Sequence, residues 1–162
     1  MRYWQAILPV VAAVAISPAT GAEPDIFVPV AYTENVVVVI QMNGDLPTTQ
    51  LRTRGRASQI AYYATPDFDY EGVPVRRTET EFDIDCDERQ IRKLRSAAFE
   101  DDGDKVGEET YGDAWAPVAP GTHMADMHRL VCDGVGPGDK IYTNLFAAVG
   151  AHGKLVRDTL GG

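Results

Sequence analysis

Residues 75–86 (VRRTETEFDIDC) alternate between two kinds of side chain more regularly than any other part of the chain. Successive side chains of a β-strand point to opposite faces of a sheet, so a period of two sorts them into two rows. One row is acidic and the other mostly apolar: Glu79, Glu81, Asp83 and Asp85 against Thr80, Phe82, Ile84 and Cys86. The pattern predicts a half-buried strand whose apolar row meets the core.

Several other segments supply neighbours for this strand. Residues 36–42 (VVVVIQM) favour a buried strand, and residues 50–64 favour a strand with a basic row and a kink at Gly55. Residues 89–99 favour an antiparallel strand whose arginines face the acidic row, although their composition also suits a short helix. A turn at 101–104 leads to a strand at 105–111. We expect residues 25–30 to be a lead-in and residues 66–74 to be a loop.

The C-terminal third favours helix. Thr122 suits a helix N-cap, residues 123–132 (HMADMHRLVC) place an apolar stripe on one side, and Gly134 suits the C-cap. The preceding residues 112–120, which include Trp115, predict irregular chain. Residues 139–160 predict one or two short helices.

The charge of the chain argues against a nucleic-acid partner. Its 162 residues carry a net charge of -9 with a sequence pI near 4.7, whereas phosphate binding requires a basic face. The 44% of hydrophobic residues suffices for a folded core.

The first 22 residues have the pattern of a secretory signal peptide. Arg2 is followed by an apolar stretch at 6–16, too short to span a membrane, and by small residues before Glu23. Export to the periplasm or the extracellular space is therefore predicted, with no integral membrane segment after cleavage. We expect no lipid anchor, because no cysteine lies near the predicted cleavage point.

Cys86 and Cys132 are the only cysteines. An exported chain with two cysteines usually pairs them, so one structural disulfide is expected. A metal-binding pair and a redox pair are the alternatives, although the wide separation lacks the C-x-x-C spacing typical of both.

Signals for catalysis are weak. Ser58 and Ser96 are the only serines after residue 22, and neither lies in a G-x-S-x-G turn, so we predict no catalytic residues and no cofactor. The alternative site is a copper or zinc site on the predicted helix. His123, Met124, Met127 and His128 have i,i+4 spacings and could supply soft ligands, whereas methionines at helical spacing more often fill a core.

The order of these segments resembles the bacterial surface-adhesin protein E-like family. The resemblance covers roughly residues 36–132 and includes EFDIDCDERQIR, FEDDGDKV, Trp115-x-Pro117, Pro120-Gly121-Thr122 and Leu130-Val131-Cys132. It implies an exported domain in which a helix lies on the concave face of an antiparallel sheet. A disulfide between a strand and that helix would match Cys86 and Cys132. The best-known members are surface-exposed lipoproteins that bind host extracellular-matrix and serum proteins and can form homodimers.

Together these signals predict an α+β fold with a single domain, mainly antiparallel sheet with a helix tethered by one disulfide. The predicted organisation is a signal peptide at 1–22, an adhesin-like domain at 23–135 and a helical C-terminal extension at 136–162. The predicted function is an exported, non-enzymatic binding module for an extracellular or envelope protein. A periplasmic metal-binding protein that uses the His123–His128 helix is the alternative.

Overall fold

A computed structural model describes residues 25–33, 35–42, 53–66, 69–136 and 138–151. The predicted signal peptide lies outside these residues. The described residues form nine strands and two helices: β1 (Ile26–Tyr32), β2 (Val36–Met42), β3 (Arg54–Tyr63), β4 (Asp69–Tyr70), β5 (Val73–Pro74), β6 (Arg77–Asp85), β7 (Gln90–Phe99), β8 (Lys105–Thr110), β9 (Ala116–Pro117), α1 (His123–Cys132) and α2 (Leu145–Gly150).

An antiparallel sheet in the order β1-β2-β3-β6-β7-β8 forms the body of the fold. β9 pairs with the first two residues of β7, and β4 and β5 form a separate two-stranded hairpin. The fold class predicted from the sequence is confirmed, including β2, the alternating strand β6 and the returning strand β7. β7 pairs with β6 on one side and with β8 on the other, and its Arg92 and Arg95 contact acidic residues of β6.

Three local predictions are wrong, of which one is the irregular chain expected at 112–120, since strand β9 lies there. Residues 25–30 are largely strand β1, because β2 is buried and its outer backbone groups need a partner; Val28 is 1% exposed. β1 tolerates Pro29, since it lies at the sheet edge and its register shifts between Pro29 and Ala31. The expected loop at 66–74 contains the β4–β5 hairpin, whose turn places Glu71 and Gly72 at positive φ.

One face of the sheet, here called the helix face, carries α1, which packs on β3 and β1. The helix buries Met127, Leu130 and Val131 in the main core. The other members of the main core come mostly from the sheet: Ile26, Val28, Ile40, Met42, Ala57, Phe82, Ile84, Ile91, Val118 and Cys132. The apolar row of β6 therefore meets the core as predicted.

The bounds of α1 follow its capping residues. Thr122 Oγ1 accepts a hydrogen bond from Ala125 N at 3.3 Å, as an N-cap does. The C-cap is Asp133 rather than Gly134, and Gly134 follows at φ 89°, a conformation that glycine adopts without strain.

The opposite face carries a second, smaller core beneath α2. It contains Phe27, Val37, Val39, Ile60, Ala148 and Val149. Tyr142, just before α2, forms a β-bridge with Phe27 that closes the outer side of β1 there.

Arg129 of α1 donates two hydrogen bonds, of 2.8 and 2.9 Å, to the carboxylate of Asp139. Within the described part of residues 139–160, one helix is present, and no described helix is long and apolar enough to span a membrane.

Candidate functional site

Cys86 and Cys132 are joined by a disulfide, with their Cα atoms 5.6 Å apart. Cys86 directly follows β6, and Cys132 is the last residue of α1. The backbone N–H of Cys86 also donates to Thr53 O at 3.0 Å, so the cysteine is held against the start of β3. The bridge fixes the C-terminal end of the helix to the sheet, and the expected pairing of the two cysteines is confirmed.

The methionines of the alternative metal site contribute to the packing of α1 on the sheet. Met127 and His128 are buried, at 0% and 6% exposure, whereas His123 and Met124 are half-buried. His128 Nε2 lies 3.7 Å from the sulfur of Cys132, which is already committed to the disulfide. The methionines behave as core residues, and the arrangement gives no support to the metal-site alternative.

Ser58 and Ser96 lie on opposite faces of the sheet. Ser96 shares a 2.8 Å hydrogen bond with Thr80, whereas Ser58 lies beside Glu81 in the β3–β6 register. Neither serine has a histidine among its hydrogen-bond partners in the described residues, so no serine-histidine pair for nucleophilic catalysis is assembled there.

α2 covers only part of the opposite face. The helix packs mainly on β1 and β2. The remaining part of β3, β6 and β7 on this face is here called the open half. Seven of its charged side chains form the arginine ladder: Arg54, Arg56, Glu81, Asp83, Asp85, Arg92 and Arg95.

Asp83 is the centre of the arginine ladder. Arg56 Nε donates to Asp83 Oδ1 at 3.1 Å from β3, and Arg92 donates to Asp83 Oδ2 from β7. Partial burial disfavours the ionised carboxylate, but the hydrogen bonds from Arg92 and Arg56 outweigh this effect and lower the pKa of Asp83. Asp83 therefore stays ionised and holds two guanidinium groups in place.

Similar pairs flank this centre. Arg95 Nη2 donates to Glu81 Oε1 at 2.5 Å, and this hydrogen bond lowers the pKa of Glu81. Arg54 Nε lies 3.5 Å from Asp85 Oδ2. The cross-strand pairing of the acidic row with Arg92 and Arg95, expected from the sequence, is confirmed.

Three of the four arginines of the ladder lie outside its carboxylates, whereas Arg92 is only 23% exposed. The exposed fractions of the side chains are 74%, 66% and 54% for Arg54, Arg56 and Arg95, against 14%, 19% and 30% for Asp85, Asp83 and Glu81. A partner that approaches the open half would thus meet guanidinium groups first, although the chain as a whole is acidic. The sequence alternation indicated the charges of this surface, but not which sign lies outermost.

Trp115 borders the arginine ladder. Its ring centroid lies 4.9 Å from the guanidinium carbon of Arg92 and 5.9 Å from that of Arg54, within the range of cation-π attraction. Arg92 also donates to Asp113 at 2.9 Å, and β9 pairs with β7 immediately after the tryptophan. Sequence reasoning placed Trp115 in irregular chain. The sequence feature that could have indicated a functional role for Trp115 is a large aromatic residue in a segment otherwise rich in glycine, alanine and proline.

Comparison with known proteins gives one family. A family model described as surface-adhesin protein E matches residues 39–133, which run from β2 to the residue after α1 and include both cysteines of the disulfide. No curated protein and no solved structure matches the chain. The match covers more than half of the chain, and it agrees with the observed sheet, helix and disulfide: the protein belongs to the surface-adhesin protein E family.

Proposed function

We propose that the protein is an exported, non-enzymatic binding module that uses the open half to bind an extracellular or envelope protein. Its membership of a surface-adhesin family supports an adhesin-like role. The observation that carries the proposal is the layer of exposed guanidinium groups, held by less exposed carboxylates beside Trp115.

The chemistry of the open half suits a protein ligand. Arginine and tryptophan are enriched among the residues that dominate binding energy at protein interfaces. The carboxylates below Arg56 and Arg95 restrict the side chains before a partner arrives, which lowers the entropic cost of binding. The cleft on this face has a volume of about 180 Å³, below the range of about 300–1,000 Å³ that is typical of pockets for small molecules. A ligand surface with carboxylates and exposed apolar groups would complement it.

Export and domain organisation form part of the same proposal. Cleavage after residue 22 would release a mature chain that begins at Glu23, and a disulfide persists best in an oxidising compartment. We further propose the adhesin-like domain at 23–135 and the extension at 136–162. The intact mass of protein purified from the native envelope tests the cleavage. We expect the mass of a chain that begins at Glu23, and the mass of a chain that still contains residues 1–22 would contradict the proposal.

The binding proposal can be tested with a panel of immobilised extracellular-matrix and serum proteins. We expect saturable binding of the mature protein to at least one member of the panel. Arg54→Ala/Arg56→Ala should weaken that binding at least tenfold, because two of the most exposed guanidinium groups are lost. Lys140→Ala removes an exposed cation outside the open half and serves as the control, with binding unchanged.

Two results would contradict the proposal. One is no saturable binding to any panel member by folded, disulfide-bonded protein. The other is binding that Arg54→Ala/Arg56→Ala and Lys140→Ala affect equally, since that would locate the contact outside the open half.

A further inference from the structure

β8 is a terminal strand of the sheet. Within the described part of the chain, β7 is the strand that pairs with β8, and no strand lies on its other side. At the opposite edge, by contrast, hydrogen bonds of 2.8 and 3.0 Å between Phe27 and Tyr142 close part of β1. An unpaired strand edge presents backbone donors and acceptors that a further strand can use.

A cleft lies beside β8 on each face of the sheet. The cleft on the helix face has a volume of about 220 Å³ and is lined by residues that include Tyr70, Thr78, Ser96, Gly107 and Tyr111. The cleft on the opposite face has a volume of about 180 Å³ and extends from β3 over β6 and β7 to β8; its lining includes Ser58, Glu81, Arg95, Lys105 and Glu108. A strand added on the free side of β8 would direct alternate side chains toward the two faces, next to the parts of the two clefts that β8 residues line.

Gly107 shapes the cleft on the helix face. A Cβ atom at this position would lie 2.5–2.7 Å from three ring carbons of Tyr70, so the absence of a side chain lets the ring lie directly against β8. Tyr70 comes from the β4–β5 hairpin, which otherwise pairs only with itself among the described strands. The hairpin thus supplies an aromatic wall beside an edge strand.

Charge at this edge selects the partner. Residues 100–110 contain six acidic side chains and one lysine: Glu100, Asp101, Asp102, Asp104, Glu108 and Glu109 against Lys105. Carboxylate oxygens of Glu100, Asp102 and Asp104 lie within 4.8 Å of one another in the turn before β8. A second copy of the chain would bring like charges to this edge, which is unfavourable, whereas a basic segment would relieve the repulsion.

We propose that β8 binds an extended, lysine- or arginine-bearing segment of a partner protein by strand addition. Backbone hydrogen bonds to the free edge supply affinity, the clefts receive alternate side chains, and the acidic turn favours basic sequences. The free edge of β8 lies outside the open half, whereas the cleft on the opposite face shares Glu81 and Arg95 with the arginine ladder. Loss of binding on N-methylation and shifts centred on the β8 amides therefore distinguish this proposal from binding to the open half.

Three synthetic peptides test the mechanism: acetyl-KVKVKVK-amide, the same peptide N-methylated at alternate backbone positions, and acetyl-EVEVEVE-amide. Binding to the mature protein would be followed by fluorescence anisotropy and by ¹⁵N NMR of the β8 amides. We expect saturable binding of the basic peptide with shifts centred on β8. The N-methylated peptide, which keeps its charge but loses backbone donors, should bind at least tenfold more weakly, and the acidic peptide should not bind.

A charge-reversed variant and its control complete the test. Glu108→Lys/Glu109→Lys should weaken binding of the basic peptide at least tenfold. Asp87→Lys/Glu88→Lys makes the same charge change at the exposed β6–β7 turn and should have a smaller effect on that binding. Failure of the basic peptide to bind, or equal binding of the N-methylated peptide, would overturn the proposal without reference to any variant. Sedimentation that shows a dimer joined through β8 would assign the edge to a second copy and would overturn it as well.

Discussion

Gly55 gives the most direct test of how α1 lies on the sheet. A Cβ atom built at Gly55 would lie 2.2 Å from Cγ1 of Val131, about 1.5 Å short of a normal carbon-carbon contact. The helix cannot easily retreat, because the neighbouring residue Cys132 is bonded to Cys86. Overpacking of this kind costs about 1–3 kcal/mol, and the better strand propensity of alanine returns about 0.5–1 kcal/mol. We therefore expect Gly55→Ala to lower the free energy of unfolding by about 1–2 kcal/mol.

Urea denaturation followed by circular dichroism measures this change. Gly112→Ala is the matched control, since a Cβ atom at Gly112 meets nothing within 4 Å, and its effect should range from neutral to about 1 kcal/mol of stabilisation. Val131→Ala should lower the free energy of unfolding less in the Gly55→Ala background than in the wild type, because the smaller side chain removes the clash. Equal unfolding free energies for Gly55→Ala and Gly112→Ala, or strictly additive effects of Gly55→Ala and Val131→Ala, would refute the close approach of α1 to β3.

Further predictions concern the disulfide and two carboxylates. Cys86→Ser/Cys132→Ser should lower the free energy of unfolding by about 4 kcal/mol in urea denaturation, because the unfolded chain loses a long closed loop; a loss below about 1 kcal/mol would contradict this. The folded-state pKa of Asp83 is lowered, so its contribution to stability is present above the ordinary carboxyl range and is lost as pH falls below about 4. Asp83→Asn should make the fall in melting temperature between pH 6 and pH 3 shallower, and an unchanged slope would argue against this contribution. Asp139→Asn breaks the paired hydrogen bonds from Arg129 and should speed hydrogen exchange in α2, with a stability loss of up to about 1 kcal/mol; unchanged exchange would show that other contacts hold α2.

Elements with strong local signals could be predicted from the sequence. The alternation of β6 indicates which side chains face the core, and the burial of Phe82 and Ile84 confirms it. The N-cap Thr122 and the following apolar stripe likewise predict the bounds of α1 as observed. In these cases the side chains that determine the element are close in sequence, so a local pattern is sufficient.

Features that depend on distant partners were missed. β1 is a strand because β2 lies beside it, and Pro29 weakens any local signal. The cation-π contacts of Trp115 with Arg54 and Arg92 join three separate parts of the chain. The outward position of the arginines in the ladder also depends on packing between strands. The surface proposed for binding therefore became visible only in three dimensions.

Trp115 provides the most direct measurement of the central proposal, that the open half contacts a protein ligand. The chain has two tryptophans, and a protein that begins at Glu23 retains only Trp115. Labelling with 5-fluorotryptophan thus places a single ¹⁹F signal beside Arg54 and Arg92. Saturation with a protein that binds in the extracellular-matrix and serum panel should shift this signal well beyond the change seen for a non-binding protein of similar size. An unchanged chemical shift at saturation would show that the ligand binds elsewhere and would contradict the proposal.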